Sequence, residues 1–140
     1  MIKDQDLREI FETTRTIAVV GFSINPERAS NKVANFLNSK GYRVIPINPG
    51  LAGQAFLGEA VYADLASIPP EIEVDMVDIF RRSEMVPEVV AEALASLPYL
   101  RTVWMQLGVI NDAAAAEARG AGKRVVMDRC PKIDYPRIMG

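Results

Sequence analysis

Histidine is absent from this sequence of 140 residues, and cysteine occurs only once, at Cys130. Without an imidazole, the chain lacks the side chain that most often serves in acid–base catalysis, phosphohistidine chemistry and metal binding. A single cysteine excludes an intramolecular disulfide and favours a reducing compartment. A zinc site would have to consist almost wholly of carboxylates, so the sequence predicts no metal site.

An excess of positive charge is also missing, because 16 Lys and Arg residues stand against 18 Asp and Glu residues, for a net charge of −2. This balance argues against binding to nucleic acid or to an anionic membrane. No apolar run approaches the ~20 residues of a transmembrane helix. The first stretch, “MIKDQDLREIFETT”, lacks the apolar core of a secretory signal. We therefore expect a cytoplasmic protein.

The sequence does contain a regular alternation of short apolar runs with amphipathic segments. Helical spacing of apolar residues occurs in residues 4–14, 30–41, 84–97 and 111–119, whereas residues from 132 onward are predicted to be irregular. Strands are predicted at residues 16–20, 43–48, 75–80, 102–106 and 124–127. Pro46 indicates that one side of the second strand is irregular or near an edge. This alternation implies right-handed crossovers. We expect one α/β domain over residues 1–140, a Rossmann-like doubly wound sheet of about five mainly parallel strands with helices on both faces.

Glycine and polar residues follow the predicted strands. Ligands of open α/β sheets bind beyond the carboxyl ends of the strands, where the strand order reverses. Here these ends are rich in Gly, Asn, Ser, Arg and Gln, which suit an anionic ligand that carries a polar base. The segments are residues 21–26, 48–50, 79–83, 106–108 and 128–130.

The first of these segments, “GFSINP”, is a candidate phosphate site. Gly21 would let the backbone approach a phosphate, and a helix capped by Ser30 would point its N-terminus at the same place. Arg28 and Ser30 could add charge-assisted hydrogen bonds. Alternatively, Gly21 only makes a turn and Arg28 is a solvated charge, since one glycine is a weak motif. If the site exists, a side chain at Gly21 should block the ligand and leave the fold mostly intact.

The end of the second strand bears on which nucleotide would bind. No G-x-x-x-x-G-K-[ST] occurs, which excludes a P-loop. An NAD domain usually places an acid after its second strand, whereas Asn48 and Pro49 stand here and the next acid is Glu59. NAD is therefore disfavoured, while NADP and coenzyme A (CoA), which carry a phosphate on the ribose, both stay open.

Several stretches, which keep their order from Thr16 onward, match one family. They are “VGFSINPERAS”, “GYRVIPINPG”, “VDMVDIFRRSEMVP”, “VWMQLGV” and “GKRVVMDRCPKIDYPRI”. On these stretches the chain resembles the small single-domain CoA-binding proteins, whose fold is similar to the N-terminal CoA-binding domain of the succinyl-CoA synthetase α subunit. That synthetase also has a second domain with a phosphorylated histidine and a partner subunit. This chain has no histidine, so the resemblance implies binding and not acyl-phosphate chemistry.

The resemblance also implies a set of CoA contacts at the matching positions. These are Gly21, Phe22, Ser23 and Ile24 with phosphate, Asn48 and Pro49 with the adenosine end, Ile79, Phe80 and Arg81 with adenine and pantetheine, and Gln106, Leu107 and Gly108 with pantetheine.

Other chemistry-bearing residues have simpler interpretations. Cys130 is either a redox thiol beside Arg129 or, as we favour, a small buried residue. Asp75 and Asp78 are three apart in a strand and so face opposite sides, which argues against a catalytic pair. Gln106 ends a buried strand and needs a polar partner, for which a ligand is a candidate.

Three hypotheses of function follow from these observations. The first is a module that binds CoA or an acyl-CoA without catalysis of its own, and it is the one we favour. The second is an NADP- or CoA-dependent enzyme with an unidentified second substrate, against which stands the lack of a convincing acid–base pair. The third is a regulatory protein that senses a metabolite and binds a protein partner.

Overall fold

The computed structural model describes residues 2–140 and contains seven strands. Five of them, β1 (Thr16–Val20), β2 (Arg43–Ile47), β5 (Met76–Ile79), β6 (Thr102–Met105) and β7 (Arg124–Val126), form one sheet in the order β2-β1-β5-β6-β7. Every neighbouring pair in this sheet is parallel. The other two, β3 (Ala55–Phe56) and β4 (Glu59–Ala60), form a small antiparallel hairpin.

Helices cover both faces of the sheet. The helices are α1 (Asp4–Thr13), α2 (Ala29–Ser39), α3 (Val86–Ser96), α4 (Asp112–Gly120) and α5 (Pro131–Met139). Helices α1, α2 and α5 pack on one face, and α3 and α4 pack on the other. The predicted α/β doubly wound fold is therefore confirmed. Within residues 2–140, no helix has the length and apolar character needed to cross a bilayer.

The burial of strand β1 explains its continuous apolar sequence. All five of its residues are buried, because helices cover the sheet on both sides. Ala18 and Val20 belong to the core under α3 and α4, whereas Ile17 and Val19 belong to the core under α1, α2 and α5. Alternate residues of one strand thus supply two separate cores.

The strand order reverses between β1 and β5. From β1 the chain crosses to β2 on one side, and it then returns to β5 on the other. Strand β2 is an edge strand, as Pro46 predicted, and the Pro46 carbonyl accepts a hydrogen bond from Tyr62 N at 3.1 Å. The reversal makes the carboxyl ends of β1 and β5 the expected place for a ligand.

The last segment of the chain is helical, so the prediction of an irregular tail from residue 132 was wrong. Pro131 and Pro136 make this segment a poor match to a helical sequence, although Pro131 occupies the first turn, where proline is tolerated. Tertiary contacts stabilise α5. Tyr135 packs edge-on against Phe11, with ring centroids 5.2 Å apart. The buried Asp134 receives hydrogen bonds from Arg129 and Arg137, and such contacts outweigh local propensity.

Candidate functional site

Gly21 is the point where the loop after β1 meets the end of β5. Its φ is +82°, and a Cβ at this position would collide with the backbone carbonyl oxygen of Phe80. The same Cβ would lie 3.3 Å from Cδ of Arg81. The fold itself therefore requires glycine here, and the expectation that a side chain would leave the fold mostly intact was wrong.

The loop after β1 is fixed by its own side chains. Ser30 Oγ accepts a hydrogen bond from Ser23 N at 3.0 Å, and Asn31 donates to the Ser23 carbonyl at 3.0 Å. Ser30 was predicted as the N-cap of α2, but Arg28 holds that position and Ser30 lies in the first turn. The buried Ser30 hydroxyl instead ties the helix to the loop.

Three backbone N–H groups, one in the loop after β1 and two in the first turn of α2, make no hydrogen bond within residues 2–140. They belong to Ile24, Ala29 and Ser30. The first N–H groups of a helix have no partner within the helix, and the helix dipole favours an anion beside them. Arg28 is exposed at the same helix end. This end of α2 can therefore hold a phosphate.

Asn48 connects the loops that follow β1 and β2. Its Nδ2 donates to the Phe22 carbonyl at 2.6 Å, and its Oδ1 accepts from Gly50 N at 2.8 Å. The Phe22 ring is fully buried and packs against Phe56, with centroids 4.5 Å apart. Asn48 and Phe22 thus shape the edge of the site with side chains that already have protein partners, while Pro49 beside them is exposed.

Two arginines follow β5, and they differ in their surroundings. Both are exposed, but Arg82 pairs with Glu84 at 3.4 Å, whereas the Arg81 side chain lies against Gly21. Arg81 is thus the arginine of this pair whose side chain lies at the strand reversal between β1 and β5.

The loop after β6 adjoins the end of β5. Leu107 and Gly108 are exposed, and Gly108 N donates to Asp128 Oδ1 at 2.7 Å. Ser83, after β5, accepts a hydrogen bond from Ile110 N at 3.0 Å, which joins the two loops. Gln106 is buried at the base of this loop.

The partner of Gln106 is Asp78, a residue that the sequence analysis assigned no site role. With its Nε2 turned toward β5, Gln106 donates to Asp78 Oδ1 at 3.1 Å and lies 3.3 Å from Oδ2. Asp78 is fully buried, and burial raises the pKa of its carboxyl well above the ordinary value. The signal was present in the sequence, because an acid in the middle of an apolar strand needs a polar neighbour on an adjacent strand.

Asp75 has a different function at the opposite edge of the sheet. Its carboxylate accepts hydrogen bonds from Arg15 N and Thr16 N, each at 3.0 Å, and so joins β1 to β5 at their amino ends. Burial is the main cause that raises its pKa, against these hydrogen bonds. Asp75 and Asp78 do not form a pair, as the strand periodicity predicted.

The remaining reactive group, Cys130, is buried beside the core under α1, α2 and α5. The adjacent backbone is fixed, because Trp104 Nε1 donates to the Arg129 carbonyl at 2.8 Å. Trp104 is itself fully buried. The part of the chain that the structure describes holds no cluster of three or more Cys, Asp or Glu residues suited to a metal ion.

The structure places every predicted site residue at the carboxyl edge of the sheet, but with different exposure. Several of the buried or partly buried residues already make hydrogen bonds or packing contacts within the protein. The sequence therefore overestimated how many of these side chains a ligand could contact. The exposed residues are Ile24, Arg28, Pro49, Arg81, Leu107 and Gly108; the others, partly or fully buried, are Gly21, Phe22, Ser23, Ser30, Asn48, Ile79, Phe80 and Gln106.

A separate concavity of about 440 Å³ lies at the amino edge. Three arginines line it, but Glu71, Glu73 and Asp75 line it as well. Since the charges of the two sets cancel, this concavity is a poor match for a polyanion, and the carboxyl edge remains the candidate site.

Known proteins with similar sequences extend over nearly the whole chain. The uncharacterized protein YneT of Bacillus subtilis is 35% identical over 132 residues, which are 93% of this chain and 92% of YneT. A hypothetical protein from Pyrococcus horikoshii has 33% identity and a TM-score of 0.90, with 99% of this chain and 94% of that chain covered. A Thermus thermophilus protein also has 33% identity and a TM-score of 0.90, with 98% and 99% covered.

A more distant structural match is part of a larger enzyme. The dinucleotide-forming acetyl-coenzyme A synthetase 1 of Ca. Korarchaeum cryptofilum has 22% identity and a TM-score of 0.69, with 86% of this chain and 27% of the enzyme covered. At this identity the match indicates the fold alone. The family model for the CoA binding domain matches residues 15–136. The chain therefore belongs to the CoA-binding domain family, which confirms the resemblance noted in its sequence.

Proposed function

We propose that this protein binds CoA or an acyl-CoA at the carboxyl edge of its sheet, across the strand reversal between β1 and β5. The observation that carries the proposal is the free N-terminal end of α2 at that reversal, in a chain of the CoA-binding domain family. The ligand lies over residues that the protein already holds in place, so little reorganisation accompanies binding.

The pyrophosphate binds at the loop after β1. The N–H groups of Ile24, Ala29 and Ser30 donate to phosphate oxygens, and Arg28 adds charge at the helix end. Arg81 approaches from the β5 side, where its side chain already lies over Gly21. Backbone amides and arginines together match a diphosphate better than either group alone.

The adenosine end lies beside Asn48, Pro49 and residues 79–81. No acid projects from the end of β2, and Glu59 is held by Arg43 at 2.8 Å. A ribose phosphate, which CoA carries and NAD does not, therefore meets no carboxylate repulsion there. The pantetheine arm runs toward Gln106, Leu107 and Gly108, of which the last two are exposed.

The side chains at this edge favour binding over catalysis. Asp78 is buried away from the ligand path, and Cys130 is buried in the core under α1, α2 and α5. The proposal therefore includes no reaction of the thioester. A CoA- or NADP-dependent enzyme would instead turn over a thioester or a nicotinamide, and a metabolite sensor would retain a protein partner only when CoA is present.

The two arginines after β5 offer a matched test. We expect Arg81→Ala to weaken CoA binding about tenfold or more, because one charge-assisted hydrogen bond is lost. Arg82→Ala removes a side chain that pairs with Glu84, and it should leave the affinity unchanged. Calorimetric titration at low and at physiological ionic strength would measure both, and the Arg81 effect should be larger at low salt. Equal affinities for the wild type and both variants would contradict the proposed phosphate contact.

A further inference from the structure

Two helices begin at the carboxyl edge of the sheet with different charge at their N-termini. The first turn of α2 contains no acid, and Arg28 precedes it. The first turn of α4 contains Asp112, and the Asn111 side chain before it accepts a hydrogen bond from Ala114 N at 2.9 Å. A helix N-terminus favours an anion, and the protein itself supplies one to α4. The N-terminus of α2, by contrast, is left for the phosphates of a ligand.

Asp128 adds a second negative charge beside the loop that leads into α4. It is exposed two residues after the end of β7, and its Oδ1 accepts the hydrogen bond from Gly108 N at 2.7 Å. Its φ is +59°, which Asp and Asn tolerate better than most side chains do. None of the ion pairs within residues 2–140 includes Asp128. The carboxyl edge is therefore basic near β1 and β5 and acidic near β6 and β7.

Two arginines line a concavity together with Asp128, but neither cancels its charge at the loop after β6. Arg129 pairs with Asp134 at 3.3 Å. Arg119 lies in the last turn of α4, seven residues after Asp112, which is about 10 Å along the helix axis. The acidic character of this side of the carboxyl edge thus remains.

The length of the pantetheine arm is matched to the distance between the two sides. Strand β1, where the pyrophosphate is proposed to bind, is three positions from β7 in the sheet, or about 14 Å at the spacing of neighbouring strands. The arm from the pyrophosphate to the sulfur has about a dozen bonds, as in about four extended residues, and so also spans about 14 Å. In the other direction β1 has only β2 beside it. An extended arm therefore brings the sulfur and its acyl group to the side of Asp128.

We infer that Asp128 is a specificity-determining residue, whose charge disfavours an acyl-CoA with a carboxylate in its acyl group and admits free CoA or an uncharged acyl group. The inference rests on the proposed function, since it assumes that the pyrophosphate binds at α2. A carboxylated acyl group at this side would be repelled by Asp128 and Asp112, whereas an uncharged acyl group would not.

Malonyl-CoA and isovaleryl-CoA test this selectivity, because their acyl groups have the same branched shape and only malonyl carries a charge. We expect the wild type to bind malonyl-CoA about five- to tenfold more weakly in calorimetric titrations at low ionic strength, and this difference should shrink at high salt. Asp128→Asn retains an acceptor for Gly108 N and tolerates positive φ, and it should bring the two affinities within about twofold. Asp128→Gly, which suits the same φ, would replace Asp128→Asn if the asparagine variant does not fold.

Glu71→Gln is the matched control, because it removes the same charge from the amino edge. The ratio of the two affinities should keep its wild-type value in this variant. If the wild type binds both acyl-CoAs equally well, or if Asp128→Asn leaves the ratio unchanged, the inference is overturned while the proposed function stands. An equal change of the ratio in Glu71→Gln and Asp128→Asn would also overturn it, since net charge would then be the cause. If the wild type binds neither free CoA nor either acyl-CoA, the proposed function itself fails.

Discussion

Asp78 is the residue whose surroundings conflict most with its chemistry. It is an acidic side chain without exposed surface, and its hydrogen-bonding partner is the uncharged amide of Gln106. Because burial raises the pKa of Asp78, the folded chain retains this proton to a higher pH than the unfolded chain. The free energy of unfolding therefore depends on pH through Asp78.

We predict that Asp78→Asn raises the free energy of unfolding at pH 8 by about 1–3 kcal/mol, because a buried carboxyl is replaced by an uncharged amide. The contribution of Asp78 to wild-type stability should be fullest below the ordinary aspartate pKa of 3.8 and should fall as the pH rises toward the raised folded value. The variant lacks this decrease, so the difference between the two should grow from pH 4 upward. Urea unfolding across that range measures it.

Asp75→Asn is the matched control on the same strand. The Asp75 carboxylate accepts hydrogen bonds from two backbone N–H groups, and asparagine has a single acceptor oxygen. We expect this variant to lose about 1 kcal/mol of stability. A gain of stability at Asp75 as well, or a loss at Asp78, would contradict the assignment of the two aspartates.

Gly21 can be compared with Gly41, because both have positive φ but differ in their surroundings. A Cβ at Gly41 would meet no atom within 4 Å, whereas one at Gly21 would collide with the Phe80 carbonyl. We predict that Gly41→Ala costs about 1 kcal/mol of stability, because alanine is strained at positive φ even where its Cβ has space. Gly21→Ala should cost about 3 kcal/mol or more. Equal losses in thermal unfolding would show that the contact with β5 is unimportant.

At the scale of elements, the strands could be predicted from the sequence and the last helix could not. Strand β1 is a continuous apolar run that helices cover on both faces, so its burial follows from its composition. Helix α5 begins at Pro131 and contains Pro136, and its partners are residues far away in the sequence, such as Phe11 and Tyr42. Local propensity contains no information about those partners.

The packing of α5 leads to a prediction for Tyr135, whose ring contacts the aromatic rings of three other elements or loops at centroid distances of 5.2 to 6.2 Å. Tyr135→Ala should lower the free energy of unfolding by about 2–3 kcal/mol, because it removes these contacts. Ile133→Ala, in a side chain that is 57% exposed on the same helix, should change it by less than about 0.5 kcal/mol. Similar effects at both positions would indicate that α5 contributes little through Tyr135.

The contacts between the loops that form the site could not be predicted from the sequence either. The sequence located the loops at the carboxyl ends of the strands, because the topology of a parallel sheet brings those ends together. It could not indicate that the Asn48 side chain already bonds the Phe22 carbonyl and Gly50 N, or that Ser30 holds Ser23 N. Those bonds depend on distances between loops, and a strand–helix pattern does not encode such distances.

At the scale of the whole molecule, the two edges of the sheet differ in what they offer an anion. The carboxyl edge has the unpaired N–H groups of α2 with Arg28 at the same helix end, and it has Arg81 against Gly21. The amino edge has Arg15, Arg43 and Arg101, which three acids balance. Binding at the carboxyl edge should therefore be insensitive to Arg101→Ala. A loss of CoA affinity in that variant would indicate that CoA binds at the amino edge instead.

Calorimetric titration of the purified protein with CoA, with 3′-dephospho-CoA, NADP and ATP titrated in parallel, tests whether the carboxyl edge of the sheet binds CoA. We expect saturable binding of CoA that weakens when the 3′-phosphate is absent, because that phosphate adds to the attraction of the exposed Arg28 and Arg81 and meets no acid at the end of β2. NADP and ATP, which lack pantetheine, should bind more weakly than CoA. Absence of CoA binding by protein that is folded under the same conditions would contradict CoA binding as the function of this protein.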